Sequence, residues 1–220
     1  MVDFQSRDTR RSSDEDDEPP DDGDEPTDGD HDEQTDTDHD HGEETHTDHD
    51  HHDHDADAAG VAVLTVSSTR SLDDDPGGDA IVDAFEADGH EVVTRELVTD
   101  SYDRVQGAVD NLLGRDDVDV VVTTGGTGVT PDDVTVDAAR PLFDKELPGF
   151  GELFRRLSFD DIGTRVVGSR ATAGVVEDTL VFCLPGSEHA TRLGTEDVIL
   201  PEISHLVGLA NRGGDGDEQP

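Results

Sequence analysis

The stretch VVTTGGTGVTPDDVT, residues 121–135, leads from an apolar segment through a glycine-rich loop to two adjacent aspartates. The wider segment VDVVVTTGG (118–126) reads as an apolar strand covered on both faces of a sheet. Gly125, Gly126 and Gly128 lack side chains, so this backbone can adopt positive φ and bring its N–H groups close to an anion. The stretch therefore predicts a buried strand that ends in an anion-binding loop.

The segments before this strand alternate between strand and helix patterns. They are a strand in GVAVLTVSS (60–68), a helix in GDAIVDAFEADGH (78–90), a strand in EVVTRELV (91–98) and a helix in YDRVQGAVDNLLG (102–114). The order β-α-β-α-β predicts an open, mostly parallel α/β sheet in three layers, with right-handed crossovers and helices on both faces.

The segments after the glycine loop continue the domain. An apolar stripe of Phe150, Leu153, Phe154 and Leu157 predicts a helix within residues 146–165, with the stripe in the core or at a subunit contact. Two strands with a turn at Glu177-Asp178 follow within 169–187, and a closing helix within 196–210.

The composition is strongly acidic along the whole chain. The 220 residues carry a formal net charge of -42, and residues 60–220 alone hold 32 acidic and 12 basic side chains, a net charge of -20. Such a surface suits a halophile's cytosol, because molar salt shortens the Debye length to about 3 Å and screens self-repulsion. It argues against nucleic acid or an anionic membrane as a partner, since binding phosphates needs Lys and Arg.

Both ends of the chain are predicted to be disordered tails. Residues 1–59 have almost no apolar side chains after Phe4, and residues 212–220 are rich in glycine and acids. Such segments cannot bury enough surface to offset the entropy of ordering. The run HDEQTDTDHDHGEETHTDHDHHDHD (31–55) mixes histidines with carboxylates, which are ligands for zinc, nickel or copper. A solvated acidic tail is the favoured interpretation, with loose metal binding as the alternative.

The single cysteine, Cys183, excludes an intrachain disulfide and fits a reduced compartment. It lies in the apolar run TLVFCLPG, where a buried structural thiol is favoured over a nucleophile. The sequence shows no signal-peptide pattern and no apolar run of about 18 residues. We expect a soluble cytoplasmic protein.

The predicted sheet places three loops at one edge. In an open α/β sheet, ligands bind beyond the carboxyl ends of the strands, where the loops 67–70, 124–133 and 184–187 are expected. A phosphate or similar oxyanion is the natural ligand of the glycine loop. Asp132 or Asp133 has two interpretations: a cap for a helix that starts near Asp133, or a Mg²⁺ ligand beside bound phosphates.

Together the segments resemble the MoaB/MogA family of molybdenum cofactor biosynthesis proteins, a domain also found in gephyrin, and with the acidic surface they are similar to a haloarchaeal MoaB. The resemblance covers residues 60–211, and its motifs follow in order: GGTG (125–128), DVT (133–135), GFGE (149–152), SR (169–170) and LPGS (184–187).

The resemblance implies a three-layer α/β fold and a homotrimer, or a hexamer made of two trimers. It implies binding of molybdopterin and its adenylylation by Mg-ATP, with release of pyrophosphate, ahead of molybdenum or tungsten insertion. Molybdopterin and ATP are then the substrates, Mg²⁺ is the cofactor, and a molybdenum-insertion protein is a further candidate partner.

The resemblance also implies roles for individual residues. Asp133 matches the acid of the DVT motif, and Asp100 matches a second acidic position after the second strand; both are expected to act in catalysis and to hold Mg²⁺. The remaining candidates are expected to bind the phosphate, the pterin or the nucleotide: Ser67, Ser68, Gly125, Gly126, Thr127, Gly128, Pro185, Gly186 and Ser187.

Two alternatives to the adenylylation of molybdopterin stay open. Pro131 and Asp132 stand where the MogA branch often carries basic residues, so this protein could be a non-catalytic accessory protein that binds molybdopterin. The other alternative is nucleotide hydrolysis, as in the CinA-like group, and the GFGE and SR motifs disfavour it.

Overall fold

The computed structural model describes residues 58–213. The predicted tail 1–59, except its last two residues, lies outside the described residues, and so do the histidine run 31–55 and residues 214–220. Ala59, which the sequence analysis assigned to the tail, is buried, and its N–H donates to Nδ1 of His90 at 3.0 Å. The folded part therefore begins slightly before Gly60.

Six strands of the described chain form one sheet. They are β1 (Gly60–Val66), β2 (Glu91–Val98), β3 (Val120–Thr124), β4 (Lys145–Glu146), β5 (Thr172–Val176) and β6 (Thr179–Leu184). Their order across the sheet is β2-β1-β3-β6-β5-β4. The first four in that order are parallel, whereas β5 runs antiparallel to both β6 and β4. The predicted open, mostly parallel sheet is confirmed.

Six α-helices accompany the sheet within residues 58–213. They are α1 (Pro76–Ala87), α2 (Tyr102–Leu113), α3 (Thr135–Ala139), α4 (Pro148–Ile162), α5 (Glu188–Gly194) and α6 (Ile203–Ala210). No helix in this part of the chain is long and apolar enough to cross a membrane.

The core consists of two apolar clusters, one on each face of the sheet. Val61 and Val63 of β1 pack in the cluster that holds residues of α1, α4 and α6. Ala62 and Leu64 point the other way and pack with residues of α2 and α3. This alternation follows from the two-residue period of a strand. Every residue of β3 is buried, as the apolar segment predicts, and the three layers are confirmed.

The C-terminal region differs from the single closing helix predicted for 196–210. The chain forms α5 first, then a π-helical turn at Thr195–Ile199, a 3-10 turn at Leu200–Glu202, and α6. The hydroxyl of Ser187 accepts a hydrogen bond from the N–H of Ala190 and so caps α5. The irregular turns surround Pro201, which lacks an N–H and interrupts regular helical hydrogen bonding.

The predicted apolar stripe of α4 is only partly buried in the chain. Phe150 and Phe154 lie in the core and stack with ring centroids 6.3 Å apart, whereas the side chain of Leu153 is 44% exposed. Leu157 packs against the core from a half-buried position. The rest of this chain therefore buries only part of the stripe and leaves Leu153 exposed to solvent.

Candidate functional site

The loops after β3 and β6 are joined to each other at the carboxyl edge of the sheet. The N–H of Gly125 donates to the carbonyl of Leu184 at 3.0 Å. The hydroxyl of Thr124 donates to the carbonyl of Pro185 at 3.1 Å. Because β3 and β6 are adjacent and parallel, their ends bring the glycine loop and the LPGS loop together. The predicted convergence of these two loops is present.

A pocket of about 290 Å³ lies between these loops and the helices α4 and α5. Seven of the predicted site residues line it: Gly126, Thr127, Gly128, Asp133, Pro185, Gly186 and Ser187.

The glycine loop depends on two residues with positive φ. Gly125 has φ 100° and Gly126 has φ 67°, values that favour glycine. A Cβ at Gly125 would collide with the carbonyl oxygen of Val66, and one at Gly126 would collide with the hydroxyl of Thr135. Among the hydrogen bonds within residues 58–213, none uses the N–H of Gly126 or Thr127 as donor. These amides at the pocket wall can donate hydrogen bonds to an anion.

Asp133 holds the loop rather than capping α3, so the capping prediction is wrong. The N-cap position of α3 is Val134, and no side chain caps that helix. The Oδ2 of Asp133 instead accepts hydrogen bonds from the N–H and the hydroxyl of Thr130, both at 2.7 Å. An i to i+3 acceptor of this kind closes the turn before the helix can begin.

The carboxylate of Asp133 stays ionised at neutral pH. Partial burial raises the pKa of Asp133. Hydrogen bonds from Thr130 and from the N–H of Gly128, together with the charge of Arg170, lower it by more, so the pKa lies below its ordinary value. A fixed negative charge therefore lies at the wall of the pocket.

Asp100, Ser67 and Ser68 lie at the same sheet edge but do not line this pocket. Ser68 accepts a hydrogen bond from the N–H of Asp100 at 3.3 Å, which ties the loops after β1 and β2 together. Ser67 accepts from the N–H of Arg70 at 3.2 Å. Since β1 separates β2 from β3, Asp100 lies two strands away from the glycine loop.

The predicted pair of metal ligands is not gathered into a metal cage. Within residues 58–213, no group of three or more His, Cys, Asp or Glu side chains is arranged to hold a metal ion. Mg²⁺ seldom needs such a cage, because it commonly binds one or two carboxylates together with substrate phosphates and water. Asp133 lines the pocket and Asp100 does not, and the assignment of both residues to Mg²⁺ stays a prediction.

The sequence analysis missed the wall of the pocket opposite the glycine loop. Phe154, Ser158 and Ile162 follow at four-residue spacing on one face of α4, and Arg165 lines the pocket from the 3-10 segment that comes next. Nε2 of His189 on α5 lies 2.9 Å from Oδ2 of Asp161 on α4, and both residues line the pocket. The helical spacing of these α4 residues was the available signal. The α5 residues were missed together with that helix.

A second missed feature is the buried Asp75 at the start of α1. Its fully buried side chain accepts hydrogen bonds from the hydroxyl of Thr65, from Nη2 of Arg95 at 3.0 Å and from the N–H of Gly78 at 3.2 Å. Burial raises the pKa of Asp75, yet these hydrogen bonds outweigh it and hold the pKa below its ordinary value. The carboxylate fixes α1 to the end of β1, next to the site.

The chain is similar to known proteins over most of its described length. The family model described as a probable molybdopterin binding domain matches residues 62–205. Molybdenum cofactor biosynthesis protein B of Staphylococcus aureus (strain MRSA252) is 47% identical over 149 residues, which are 66% of this chain and 88% of that protein.

Solved structures give the same result. A crystal structure of molybdenum cofactor biosynthesis protein B matches with a TM-score of 0.69 and 40% identity, covering 70% of this chain and 97% of that one. The tungsten cofactor synthesizing protein MoaB from Pyrococcus furiosus matches with a TM-score of 0.64 and 36% identity, covering 70% and 98% of the two chains.

Proposed function

The chain belongs to the MoaB/MogA family of molybdenum cofactor biosynthesis proteins, and on that premise we propose that it adenylylates molybdopterin. In this reaction Mg-ATP transfers AMP to the terminal phosphate of molybdopterin and pyrophosphate is released. The observation that carries the proposal is the pocket in which the glycine loop, Asp133 and the LPGS loop meet.

The two walls of the pocket suit the two ends of molybdopterin. Phe154, Ile162 and Leu193 offer apolar surface for a flat ring system. The amides of Gly126 and Thr127 offer donors for the phosphate at the other end of the ligand. A pocket of about 290 Å³ is near the lower limit for small-molecule sites, so we expect it to hold the pterin and not the whole nucleotide as well.

The chemistry requires no covalent enzyme intermediate. A phosphate oxygen of molybdopterin attacks the α-phosphorus of ATP, and the bond from that phosphorus to the oxygen bridging to the β-phosphate breaks. The loop amides orient the attacking phosphate, and the pocket wall excludes water from one side. Mg²⁺ bound with ATP would neutralise charge on the phosphates, and Asp100 and Asp133 are the residues that would hold it.

The test is pyrophosphate release from Mg-ATP in molar KCl, with and without molybdopterin. We expect release that depends on molybdopterin. ATP turnover that does not respond to molybdopterin, or no turnover at all, contradicts the proposed transfer reaction.

A second candidate function is binding of molybdopterin without turnover, and the engagement of Asp133 favours it. Because Oδ2 of Asp133 already accepts two hydrogen bonds from Thr130, this residue has a sufficient role in shaping the loop. Molybdopterin that binds without any pyrophosphate release from Mg-ATP would support this function.

Asp133→Asn and Asp133→Ala separate the two roles, with the exposed Asp132→Asn as the matched control. The asparagine keeps an oxygen for Thr130 but loses the charge, whereas the alanine loses both. If the carboxylate acts in transfer, both Asp133 variants lose about 100-fold or more in kcat, and the control does not. If it only shapes the loop, the asparagine variant keeps its activity or its affinity for molybdopterin.

A further inference from the structure

Arg170 holds the glycine loop from outside the pocket. It lies between the 3-10 segment Gly163–Gly168 and β5, and it is not among the residues that line the pocket. Its backbone N–H donates to the carbonyl of Thr127 at 2.9 Å, and its Nε donates to the carbonyl of Gly128 at 2.6 Å. Its Nη2 donates to the carbonyl of Asp133. One residue therefore binds three carbonyls of the segment that joins β3 to α3.

Asp137 fixes the orientation of the Arg170 guanidinium. Nη1 of Arg170 lies 3.1 Å and 3.0 Å from the two carboxylate oxygens of Asp137, in the first turn of α3. The guanidinium is planar and presents its N–H donors in fixed directions, so it can serve the loop and α3 at once. A lysine ammonium carries the same charge but has a single nitrogen, which cannot reach all of these acceptors together.

These contacts determine which way the amides of Gly128 and Val129 face. In a trans peptide the N–H points opposite to the C=O, and residues 58–213 contain no cis peptide bond. With the carbonyls of Thr127 and Gly128 turned to Arg170, the N–H groups of the next residues face away from it. The N–H of Gly128 accordingly stabilises the carboxylate of Asp133, whose pKa it helps to lower.

We propose that Arg170 is a positioning residue for phosphate transfer. It sets the directions of the Gly128 and Val129 amides and the place of Asp133 without touching the ligand itself. The proposal rests on the proposed function for its kinetic consequence. Its structural consequence, an ordered loop between Gly126 and Asp133, can be measured independently of activity.

The kinetic test compares Arg170→Lys and Arg170→Ala with Arg115→Lys and Arg115→Ala. Arg115 is a matched control, because it forms an exposed ion pair with Asp117 before β3, at the opposite edge of the sheet. We expect both Arg170 variants to lose about 10- to 100-fold in kcat for pyrophosphate release, with a smaller change in KM for Mg-ATP. The Arg115 variants should match the unaltered protein.

The independent test is hydrogen exchange of the backbone amides, measured by mass spectrometry on the full chain. Arg170→Lys should exchange at least tenfold faster in peptides spanning residues 126–134, with unchanged exchange in β3 and β6. If the unaltered protein releases no pyrophosphate, the proposed function fails, and this exchange experiment together with molybdopterin affinity decides the role of Arg170.

Two results would overturn the proposal. One is an Arg170→Lys variant with normal loop exchange and normal kcat. The other is a loss of activity that only follows the fraction of unfolded protein, because that would give Arg170 a general role in stability.

Discussion

Gly126 and Gly149 show that two glycines in family motifs have different reasons to be glycine. Gly126 has positive φ and no room for a Cβ beside Thr135, whereas Gly149, in the first turn of α4, has nothing within 4 Å of a Cβ. The sequence analysis could place the first in a loop from its neighbours in the GGTG motif. It could not tell whether Gly149 needs to be glycine, because membership of a motif does not reveal which backbone angles a residue adopts.

Replacing Gly126 by alanine is expected to weaken molybdopterin binding at least tenfold. The alanine adds backbone strain of about 1 to 2 kcal/mol and pushes the loop away from Thr135. Gly149→Ala is the control and should bind normally, with equal or slightly higher stability. Titration calorimetry with molybdopterin measures both variants, and equal dissociation constants would refute the role given to the loop.

The Cys183 thiol is expected to be unreactive in the folded protein. It is fully buried, and burial raises the pKa of the thiol to about 11. Little thiolate is therefore present at pH 8. A disulfide reagent such as Ellman's should label no thiol in the native protein and one after denaturation. Rapid labelling of the native protein would show that the interior opens at β6.

At the scale of elements, five of the six strands and the first two helices could be predicted because their apolar patterns are clear, whereas the two-residue strand β4 has no such pattern. The missed features are α5, the irregular turns before α6 and the true cap of α1. The caps of α5 and α1 depend on local hydrogen bonds of Ser187 and Asp75, and the irregular turns depend on Pro201, and apolar spacing reports neither. Of the pocket, the wall formed by the glycine and LPGS loops was predicted. The wall formed by α4 and α5 was not, and α5 itself was not predicted.

Asp75→Asn is expected to destabilise the fold by about 3 kcal/mol, because it removes the buried one of the two carboxylates that pair with Arg95. Asp79→Asn removes the other, 57% exposed partner of Arg95 and should change stability by less than about 1 kcal/mol. Urea unfolding at neutral pH measures both. Equal losses in the two variants would contradict the role given to burial.

The Asp75→Asn variant should also change how the stability of the fold depends on acidic pH. The pKa of Asp75 is lowered by folding, so its contribution to stability is complete above the unfolded value of about 3.9 and is lost as pH falls through the folded value. Asp75→Asn should therefore show a flatter dependence of stability on pH below about pH 4. An unchanged slope would mean that other carboxylates control acid unfolding.

At the scale of the whole molecule, the acidic charge was read from composition alone, and its consequence is a dependence on salt. Residues 60–220 carry a net charge of -20, so self-repulsion opposes the folded state at low ionic strength. The homotrimer or hexamer, the insertion protein as partner, and the cytoplasmic location stay predictions, because a single chain tests none of them.

The melting temperature is expected to rise as KCl increases from about 0.1 M to about 2 M. A reduction of self-repulsion by about 2 kcal/mol would correspond to about 6 °C for a domain of this size. Circular dichroism at each salt concentration measures the effect. A chain lacking residues 1–57 should keep most of it, since the remaining part is itself acidic. A melting temperature that stays constant or falls would refute this explanation.

The edge strand β4 has a consequence for aggregation. An exposed sheet edge can pair with a strand of another molecule, and proteins commonly prevent this with edge charges or very short edge strands. β4 has two residues, Lys145 and Glu146, and Lys145 is the single lysine of the sequence. In molar salt the charges are screened within about 3 Å, so their repulsion gives little protection. The shortness of β4 then remains as the barrier to pairing at this edge of the sheet, whereas β2 forms the other edge.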